Sequence, residues 1–420
     1  HSMRIPLLTY GTRGDVQPFF ALAQGLQKAG HAPLVAAPER MADLAEQAGV
    51  PFHPLPGEPA EFSRAIVDQA GNNPYRIWKV GREFTFNLAS QVVRELRRAC
   101  EGADLVIHTF LMTTGGHALA REMRLPDISA QFFPIFAPTG DFASLPLPAL
   151  RLGRGYNRFT HHFFKFFFWR LGHLGYGSIA RRDAALPQKI YWPFEKNNPW
   201  ITPQLYGFSP LLVPQPKDWT ARQHVTGFWK LEDGAENWQP PPELAQFLAE
   251  GSAPLCVSFG SMVSTQAGRI YAEVLGALAL SGQRAVILRG WGGWQPDSLP
   301  PGVLLLDSAP HAWLFPRCAA ILHHAGAGVT AAALRSGIPS LGAAFAADQP
   351  FWAGRLAGLG VSPRPVPAKK LRAEKLARDI RQMLEDQPMR QRAAQIGEQM
   401  RGEDGVGEAV RLIEFYAGQK

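Results

Sequence analysis

The stretch that most restricts the fold of this 420-residue chain is AAILHHAGAGVTAAALRSGIPSLGAAFAADQ, residues 319–349. Ala319 to His323 is an apolar run of strand length. Val329 to Ser336 is rich in alanine and leucine, with Gly337 just past its end, so the pattern predicts a strand followed by a helix. Between them His-His-Ala-Gly-Ala-Gly lets the backbone turn sharply and approach a ligand closely. A turn of this kind aims free N–H groups and the positive end of a helix dipole at one point, an anion site suited to phosphate. Ile338 to Ala343 predicts a second strand, which leads to Asp348 and Gln349, a carboxylate and an amide suited to hydroxyls. Phosphate at one end and a polyol at the other point to a nucleotide-sugar. Each part also has a plainer role: the turn closes a βα unit, His323 and His324 fill the core and the strand end, and Asp348 caps the helix near Pro350.

The same alternation runs along both halves. Arg4 to Tyr10 predicts a buried strand, with Pro6 awkward in it. Gly11 to Pro18 (GTRGDVQP) follows, then a helix over Phe19 to Ala29 closed by Gly30. Strands at Pro33–Ala37 and Val50–Leu55 flank a helix at Arg40–Ala48, and this βαβαβ order implies a parallel sheet with right-handed crossovers. It resumes with a helix near Phe86–Ala99, a strand at Ala103–Thr109, a helix near Gly115–Met123 and a strand at Asp127–Gln131. Leu205–Val213 and His224–Trp229 read as further strands, and Lys230–Pro242 (KLEDGAENWQPPP) as a linker. The second half predicts strands at Pro254–Phe259, Arg284–Leu288 and Val303–Asp307 and helices at Ile270–Leu280, Lys370–Glu385, Met389–Met400 and Glu408–Tyr416.

Length and composition narrow the class. A chain of 420 residues exceeds one core, so two domains are expected. No apolar run approaches the roughly 18 residues of a membrane span. His1-Ser2 before Met3 reads as a cloning remnant, and no secretory signal is expected after Met3. Cys100, Cys256 and Cys318 lack metal-ligand spacing and read as buried thiols of a cytoplasmic protein, so no metal is expected. The net charge of +8 comes with no nucleic-acid-binding motif, which argues against that partner. Residues 132–223 break the rhythm: Phe163, Phe164, Phe166, Phe167, Phe168 and Trp169 crowd one segment flanked by arginines. A helix this aromatic is either deeply buried or lines an apolar cleft, and its basic flanks admit peripheral contact with a membrane surface.

Taken together, GTRGDVQP, VSFGSM, GWGG, APHAWLFPRCAAILHHAGAG and FAADQPFW, with YGFSP, VTGFW and the Tyr156-Asn157 segment, resemble the nucleotide-sugar-dependent glycosyltransferases of the GT-B fold. The likeness is to the sterol 3-beta-glucosyltransferase-like and bacterial natural-product branch, and it spans nearly all of Met3 to Gln349. The resemblance implies an α/β chain of two Rossmann-like, doubly wound domains facing across an interdomain crevice. The expected division is residues 3–225 for the acceptor, a linker at 230–242, residues 243–400 for the donor, and a final segment 401–420 packing back on the first domain. It further implies an inverting, metal-independent transfer of a sugar from a UDP- or TDP-linked donor to an acceptor hydroxyl, with no cofactor.

By the same resemblance, His324 with the N–H groups around Gly326, Gly328 and Val329 holds the diphosphate, and Ser261 reaches it from the other turn. His311 and Trp313 border the base, and Asp348 and Gln349 bind the sugar hydroxyls. Asp15 is the general base, and Thr12, Phe163, Phe167 and Trp169 contact the acceptor. The chemistry supports these roles. A departing nucleoside diphosphate gathers negative charge that oriented N–H groups and an imidazole stabilise, and an attacking alcohol needs a proton acceptor. On sequence alone Asp15 reads equally as the N-cap of the following helix. The chain departs from the family pattern at Ala332, Val329 and Ala325, where plant members have a ribose-binding glutamate and the branch usually has threonine and glycine respectively. An alternative reading is a non-catalytic, glycosyltransferase-like auxiliary or binding protein; a GT-B-shaped sugar-nucleotide epimerase gives the aromatic segment no purpose.

Overall fold

The structure is a computed structural model that describes every residue except 1, 58–87, 146, 148, 181–182, 184–185, 195–201, 233–234, 261–265, 290–293, 297 and 420. The chain divides into two compact units. The first holds His1–Phe208, Gln215–Asp233 and Asp404–Lys420; the second holds Ser209–Pro214 and Gly234–Glu403.

In the first unit β1 (Arg4–Leu8), α1 (Arg13–Lys28), β2 (Ala32–Pro38), α2 (Ala42–Ala48) and β3 (Phe52–Leu55) are followed by a helix α3 described over 88–99. Then come β4 (Val106–His108), α4 (Thr113–Glu122), β5 (Asp127–Gln131), the long α5 (Gly153–Ala180), β6 (Gln204–Tyr206) and β7 (Gln223–Val225). The strands form one parallel sheet in the order β3-β2-β1-β4-β5-β6-β7. The direction of winding reverses between β1 and β4, and open α/β sheets bind ligands outside the strand ends at such a switch point. Side-chain alternation along β1 sends Ile5 and Leu7 into the core shared with α1, and Leu8 into the core on the opposite face with Val106 and Leu119. Pro6 is tolerated in this central strand because the ladder to β4 begins only at Leu7, opposite Ile107.

Beneath β4 and β5 lies a buried polar node. The Asp127 carboxylate accepts from His108 Nε2 and His117 Nδ1, each at 2.8 Å, and from the Thr202 hydroxyl at 3.0 Å. Their pull holds Asp127 well below the usual carboxylate range despite its burial. The outer nitrogens, His108 Nδ1 and His117 Nε2, are buried without a partner among the described residues. A metal-bound imidazole normally donates its other N–H to a second group, so this node fits a hydrogen-bonded strut better than a metal cage.

The second unit contains α6 (Pro242–Ala249), β8 (Leu255–Ser258), α7 (Ala267–Ser281), β9 (Ala285–Leu288), β10 (Val303–Leu306), α8 (His311–Leu314), β11 (Ala320–His323), α9 (Ala327–Ser336), β12 (Ser340–Gly342), α10 (Gln349–Gly358), α11 (Ala373–Glu385) and α12 (Gln387–Arg401). Its parallel sheet runs β10-β9-β8-β11-β12, with the switch point between β8 and β11. Leu255, Val257, Ala320 and Leu322 face one core with α7 and α11, and Cys256 and Ile321 face the other. The last helix, α13 (Gly405–Ala417), belongs to the first unit: Val406 and Val410 lie where a side chain on Gly25 of α1 would sit, and Ala409, Leu412 and Ile413 join that core.

Three local expectations change. The apolar run Leu205–Val213 is a strand only as far as Tyr206, because Ser209–Pro214 already belongs to the second unit. The Ser209 hydroxyl there donates to Glu403. The proline-rich segment contains the start of α6, with Pro242 in its first turn, where a missing N–H costs nothing. Finally, α1 begins at Arg13 and not at Phe19, which moves Asp15 from the expected N-cap to the third helical position.

Candidate active site

At the switch point of the second unit the chain leaves β11 at His323 and enters α9 through His324, Ala325 and Gly326. Gly326 is the N-cap, extended at φ −67° and ψ 158°, and no side chain caps the helix. The first-turn N–H groups of Ala327, Gly328 and Val329 therefore point out of the helix end with no side-chain acceptor among the described residues, which suits an anion.

The His324 imidazole lies between two glycines. A Cβ on Gly260 would come within 2.8 Å of its Cε1, and one on Gly326 within 2.7 Å of its Nε2. Gly260 also has φ +61°, so both position and conformation exclude a side chain there. Burial lowers the His324 pKa to about 4, against a backbone hydrogen bond at Ser258 that raises it. Its Nδ1 is buried with no partner among the described residues. The ring is thus neutral at pH 7, and a ligand's negative charge would draw a proton onto it.

His323 pins the same turn. Its Nδ1 accepts from the Ala325 N–H at 3.0 Å, which puts the ring proton on Nε2, and burial lowers its pKa to about 3. Ala325 has φ +60°, a left-handed conformation that explains why the family usually has glycine there. Ser258, at the end of β8, pairs its hydroxyl with His311 Nε2 at 3.1 Å, and the His311 ring stacks on Phe315 at 4.4 Å. Trp313 has its own neighbours: Trp238 meets it edge-on at 5.1 Å and the Arg317 guanidinium lies 4.0 Å from its ring centre.

Asp348 and Gln349 follow β12 through a turn in which Ala347 has φ +57°. Asp348 Oδ2 accepts from the Trp352 indole at 2.7 Å, and Gln349 Oε1 accepts from the N–H groups of Phe345 (2.7 Å) and Ala346 (3.2 Å). Asp348 occupies the N-cap of α10 but forms no capping bond, so its carboxylate is held by tryptophan and not by the helix. Ser261 and the GWGG loop lie outside the described residues; Trp294, just beyond that loop, stacks face to face on Tyr271 at 4.0 Å.

In the first unit the corresponding turn after β1 carries Asp15. Thr12 is the N-cap of α1, and Asp15 Oδ2 accepts from the Thr12 N–H at 2.7 Å and from its hydroxyl at 2.9 Å. This is a capping box with aspartate in the usual glutamate position. Gly11 makes room for it, since a Cβ there would meet Asp15 Oδ2 at 2.4 Å. Withdrawal from water raises the Asp15 pKa; the Thr12 bonds and the charge of Arg40 oppose the rise. Thr12 thus meets Asp15 directly.

The aromatic helix α5 has two faces. Phe164, Phe168 and Trp169 pack with Phe110, Ile135, Phe136 and Trp192, and Phe136 takes φ +67° to point into this cluster. Phe163 and Phe167 lie on the other side, 40% and 48% exposed. The buried-helix reading therefore holds for one face of this segment, and the other face is open. Ser258 and the cluster around Phe136 were missed as site residues. The signals were VSFGSM, whose second residue is Ser258, and the proline-broken aromatic runs QFFPIFAP and YWPF.

Comparison with known proteins adds the following. Residues 5–106 match the glycosyltransferase family 28 N-terminal domain, and residues 286–414 match the erythromycin biosynthesis protein CIII-like C-terminal domain. The chain is 36% identical to O-mycaminosyltylonolide 6-deoxyallosyltransferase of Streptomyces fradiae, over 99% of this chain and 98% of that one. It is 33% identical to a sterol 3-beta-glucosyltransferase of Arabidopsis thaliana, and 32% identical to one of Neurospora crassa. Each of these matches spans 98% of this chain but only 65% and 27% of those longer proteins. Among solved structures, the glycotransferase of kitacinnamycin superposes with a TM-score of 0.72 at 18% identity, covering 99% of each chain. The glycosyltransferase VinC in complex with DTDP gives 0.68 at 18% identity, covering 100% of each.

Proposed function

Because the chain belongs to the glycosyltransferase family that includes bacterial natural-product transferases and sterol 3-beta-glucosyltransferases, and is a glycosyltransferase of the GT-B fold, we infer that it moves a hexose from a UDP- or TDP-sugar to a hydroxyl of a hydrophobic acceptor. The observation that carries this reading is the uncapped, glycine-flanked start of α9 with the neutral His324 beside it. That turn offers oriented N–H donors and an imidazole to a diphosphate, which is what a departing nucleoside diphosphate requires. The relatives favour the enzyme over a non-catalytic auxiliary protein.

In the reaction, the acceptor oxygen bonds to the anomeric carbon from the face opposite the diphosphate, with inversion. The carbon–oxygen bond to phosphate breaks, its electron pair leaves with the nucleotide, and the acceptor's proton passes to Asp15. Both Thr12 bonds fall on Oδ2, so Oδ1 is the oxygen assigned to take that proton. The raised pKa of Asp15 makes it a better base than an exposed carboxylate. His324 and the N–H groups of Gly328 and Val329 hold the diphosphate, and Asp348 and Gln349 orient the sugar. No metal or cofactor enters these steps.

The acceptor reading rests on α5 and on relatives whose names specify a macrolide-type product and sterols. We place the enzyme in the cytoplasm, with peripheral contact at a membrane surface; among the described residues no helix is long and apolar enough to cross one. Incubation with UDP-glucose, TDP-glucose or TDP-rhamnose, each with a sterol and a macrolide aglycone and with or without EDTA, tests this. Nucleoside diphosphate and a glycosylated product should appear with at least one pair, unaffected by EDTA. Absence of nucleotide binding at millimolar concentration would overturn the donor assignment, and loss of transfer in EDTA would overturn metal independence.

A further inference from the structure

The outer face of α5 exposes an aromatic stripe. Phe159 and Phe166 are 61% and 60% exposed, with Phe163 and Phe167 between and beside them, and Leu152 (67%) extends the row one side-chain period earlier. The spacing i, i+4, i+7, i+8 puts the four rings on one side of the helix. They touch each other: ring centres are 5.9 Å apart for Phe159–Phe163, 4.9 Å for Phe163–Phe167 and 6.3 Å for Phe166–Phe167. The core-facing rings of the same helix, Phe164 and Phe168, pack into the cluster around Phe136, and among the described residues that cluster does not include the outer stripe. A contiguous exposed apolar patch of this kind marks an interaction surface.

Charge decides what covers it. The 28 residues of α5 include no aspartate or glutamate, whereas Arg154, Arg158, Lys165 and Arg170 lie along it and the exposed Arg151 precedes it. Asp141 and Asp218 offset Arg154 and Arg158 near the start of the helix, and Lys165 lies 5.3 Å from the Trp192 ring on the core-facing side, so the positive charge beside the stripe rests on Arg151 and Arg170. The guanidinium of Arg170 lies 5.7 Å from the Phe166 ring centre, a cation laid beside the stripe. A second copy of this chain would set Arg151 and Arg170 against the same two cations. An anionic lipid surface instead accepts the rings at the headgroup–acyl boundary and the arginines at the phosphates.

We propose that α5 docks this enzyme on anionic phospholipid bilayers through Phe159, Phe163, Phe166 and Phe167, with Arg151 and Arg170 on the headgroups. The helix lies in the plane of the surface, so a hydrophobic acceptor dissolved in the membrane would be met at the first unit. This deepens the hydrophobic-acceptor reading and rests on it.

Flotation of the full chain with vesicles tests the proposal in the absence of any sugar donor, so its outcome is separate from that of the transfer assay. The protein should float with vesicles of equal parts phosphatidylcholine and phosphatidylglycerol, far less with phosphatidylcholine alone, and the binding should weaken as salt rises. Phe159→Ser with Phe166→Ser should lower partitioning by roughly tenfold or more, given what burying one such ring contributes. Arg151→Glu with Arg170→Glu should remove the preference for anionic lipid. UDP or TDP affinity and the melting temperature should stay unchanged in both pairs, since all four side chains are exposed. No flotation, or flotation indifferent to lipid charge and salt, overturns the proposal. Self-association that the phenylalanine pair abolishes, without vesicle binding, overturns it in favour of a second copy. Transfer activity without flotation would sink this inference alone; flotation without transfer would sink only the enzymatic reading of the substrates.

Discussion

Two helices leave the C-terminal edges of their sheets at equivalent switch points, and their first turns are finished in opposite ways. At α1 the chain satisfies itself: Thr12 and Asp15 form a capping box, and the carboxylate takes up the N–H of Thr12. At α9 the cap is a glycine without a side chain, and the helix end is left to whatever anion arrives. The first turn therefore fixes a negative group of its own, and the second holds open the place for a foreign one. Burial pushes the key residues of both turns toward their neutral forms, Asp15 upward and His324 downward, so each is poised to gain charge from a ligand or to lose it to one.

The sharpest way to break this contrast is Asp15→Asn. Asparagine keeps a hydrogen-bonding oxygen for the turn but cannot accept the acceptor's proton. Turnover should fall by roughly 10²–10⁴-fold while stability and UDP or TDP affinity hold, as read by initial rates, melting and calorimetric titration. Near-normal turnover would reduce Asp15 to a piece of the cap.

His324→Ala strikes the other turn. Loss of a charge-assisted hydrogen bond to the diphosphate should weaken nucleotide binding by roughly 10- to 100-fold. The same variant carries a pH signature. Free imidazoles titrate near 6.5, but His324 in the fold does so near 4 and His323 near 3. The stability these two neutral rings contribute is complete above 6.5 and is lost as pH falls from there through their folded values. Denaturant unfolding should therefore show His324→Ala losing less stability than the parent between pH 7 and pH 5. An equal loss would mean that His324 titrates normally.

Thr12→Ala sharpens the comparison more gently. It removes the hydroxyl bond that lowers the Asp15 pKa, so the acid limb of the kcat/KM profile should move to higher pH. The lost cap should cost about 1 kcal/mol in denaturant unfolding. A stability loss with an unmoved pH profile would make Thr12 a cap and nothing more.

The smallest expected effect is at Ala325. Its φ of +60° costs an L-residue about 1–2 kcal/mol, part of which glycine returns to the flexibility of the unfolded chain. Ala325→Gly should stabilise by about 0.5–1 kcal/mol with nucleotide affinity unchanged. Tighter nucleotide binding in that variant would mean instead that the alanine holds the turn away from its binding geometry.

The parallel sheets were legible because buried strands such as Leu255–Ser258 and Ala320–His323 are apolar up to their last residue and are followed by small-residue turns. The strand-to-helix turn was legible for the same reason: glycines at 326 and 328 stand between an apolar run and an alanine-rich one. What escaped the sequence was decided by tertiary context. The start of α1 is hidden in the polar run Thr12 to Gln17, and Pro18 marks the sixth helical residue there and not the first turn. Leu205–Val213 looks like one strand, but the chain changes units within it. The partners of Asp348 and Gln349 are set by a turn with Ala347 at positive φ, which no composition or spacing announces.

The assignment of α13 to the first unit has a consequence for biogenesis. Ala409, Leu412 and Ile413 complete the core that Phe19, Leu22 and Leu26 begin, yet they are translated only after the whole of the second unit. While the ribosome is still making the donor sheet, the apolar flank of α1 has no final cover. The early unit must wait as an incomplete intermediate, with hydrophobic surface open to chaperones or to neighbouring chains. A stop codon placed before Gly405 would leave that exposure permanent, so α13 acts as the closing latch of a unit begun before the second was made.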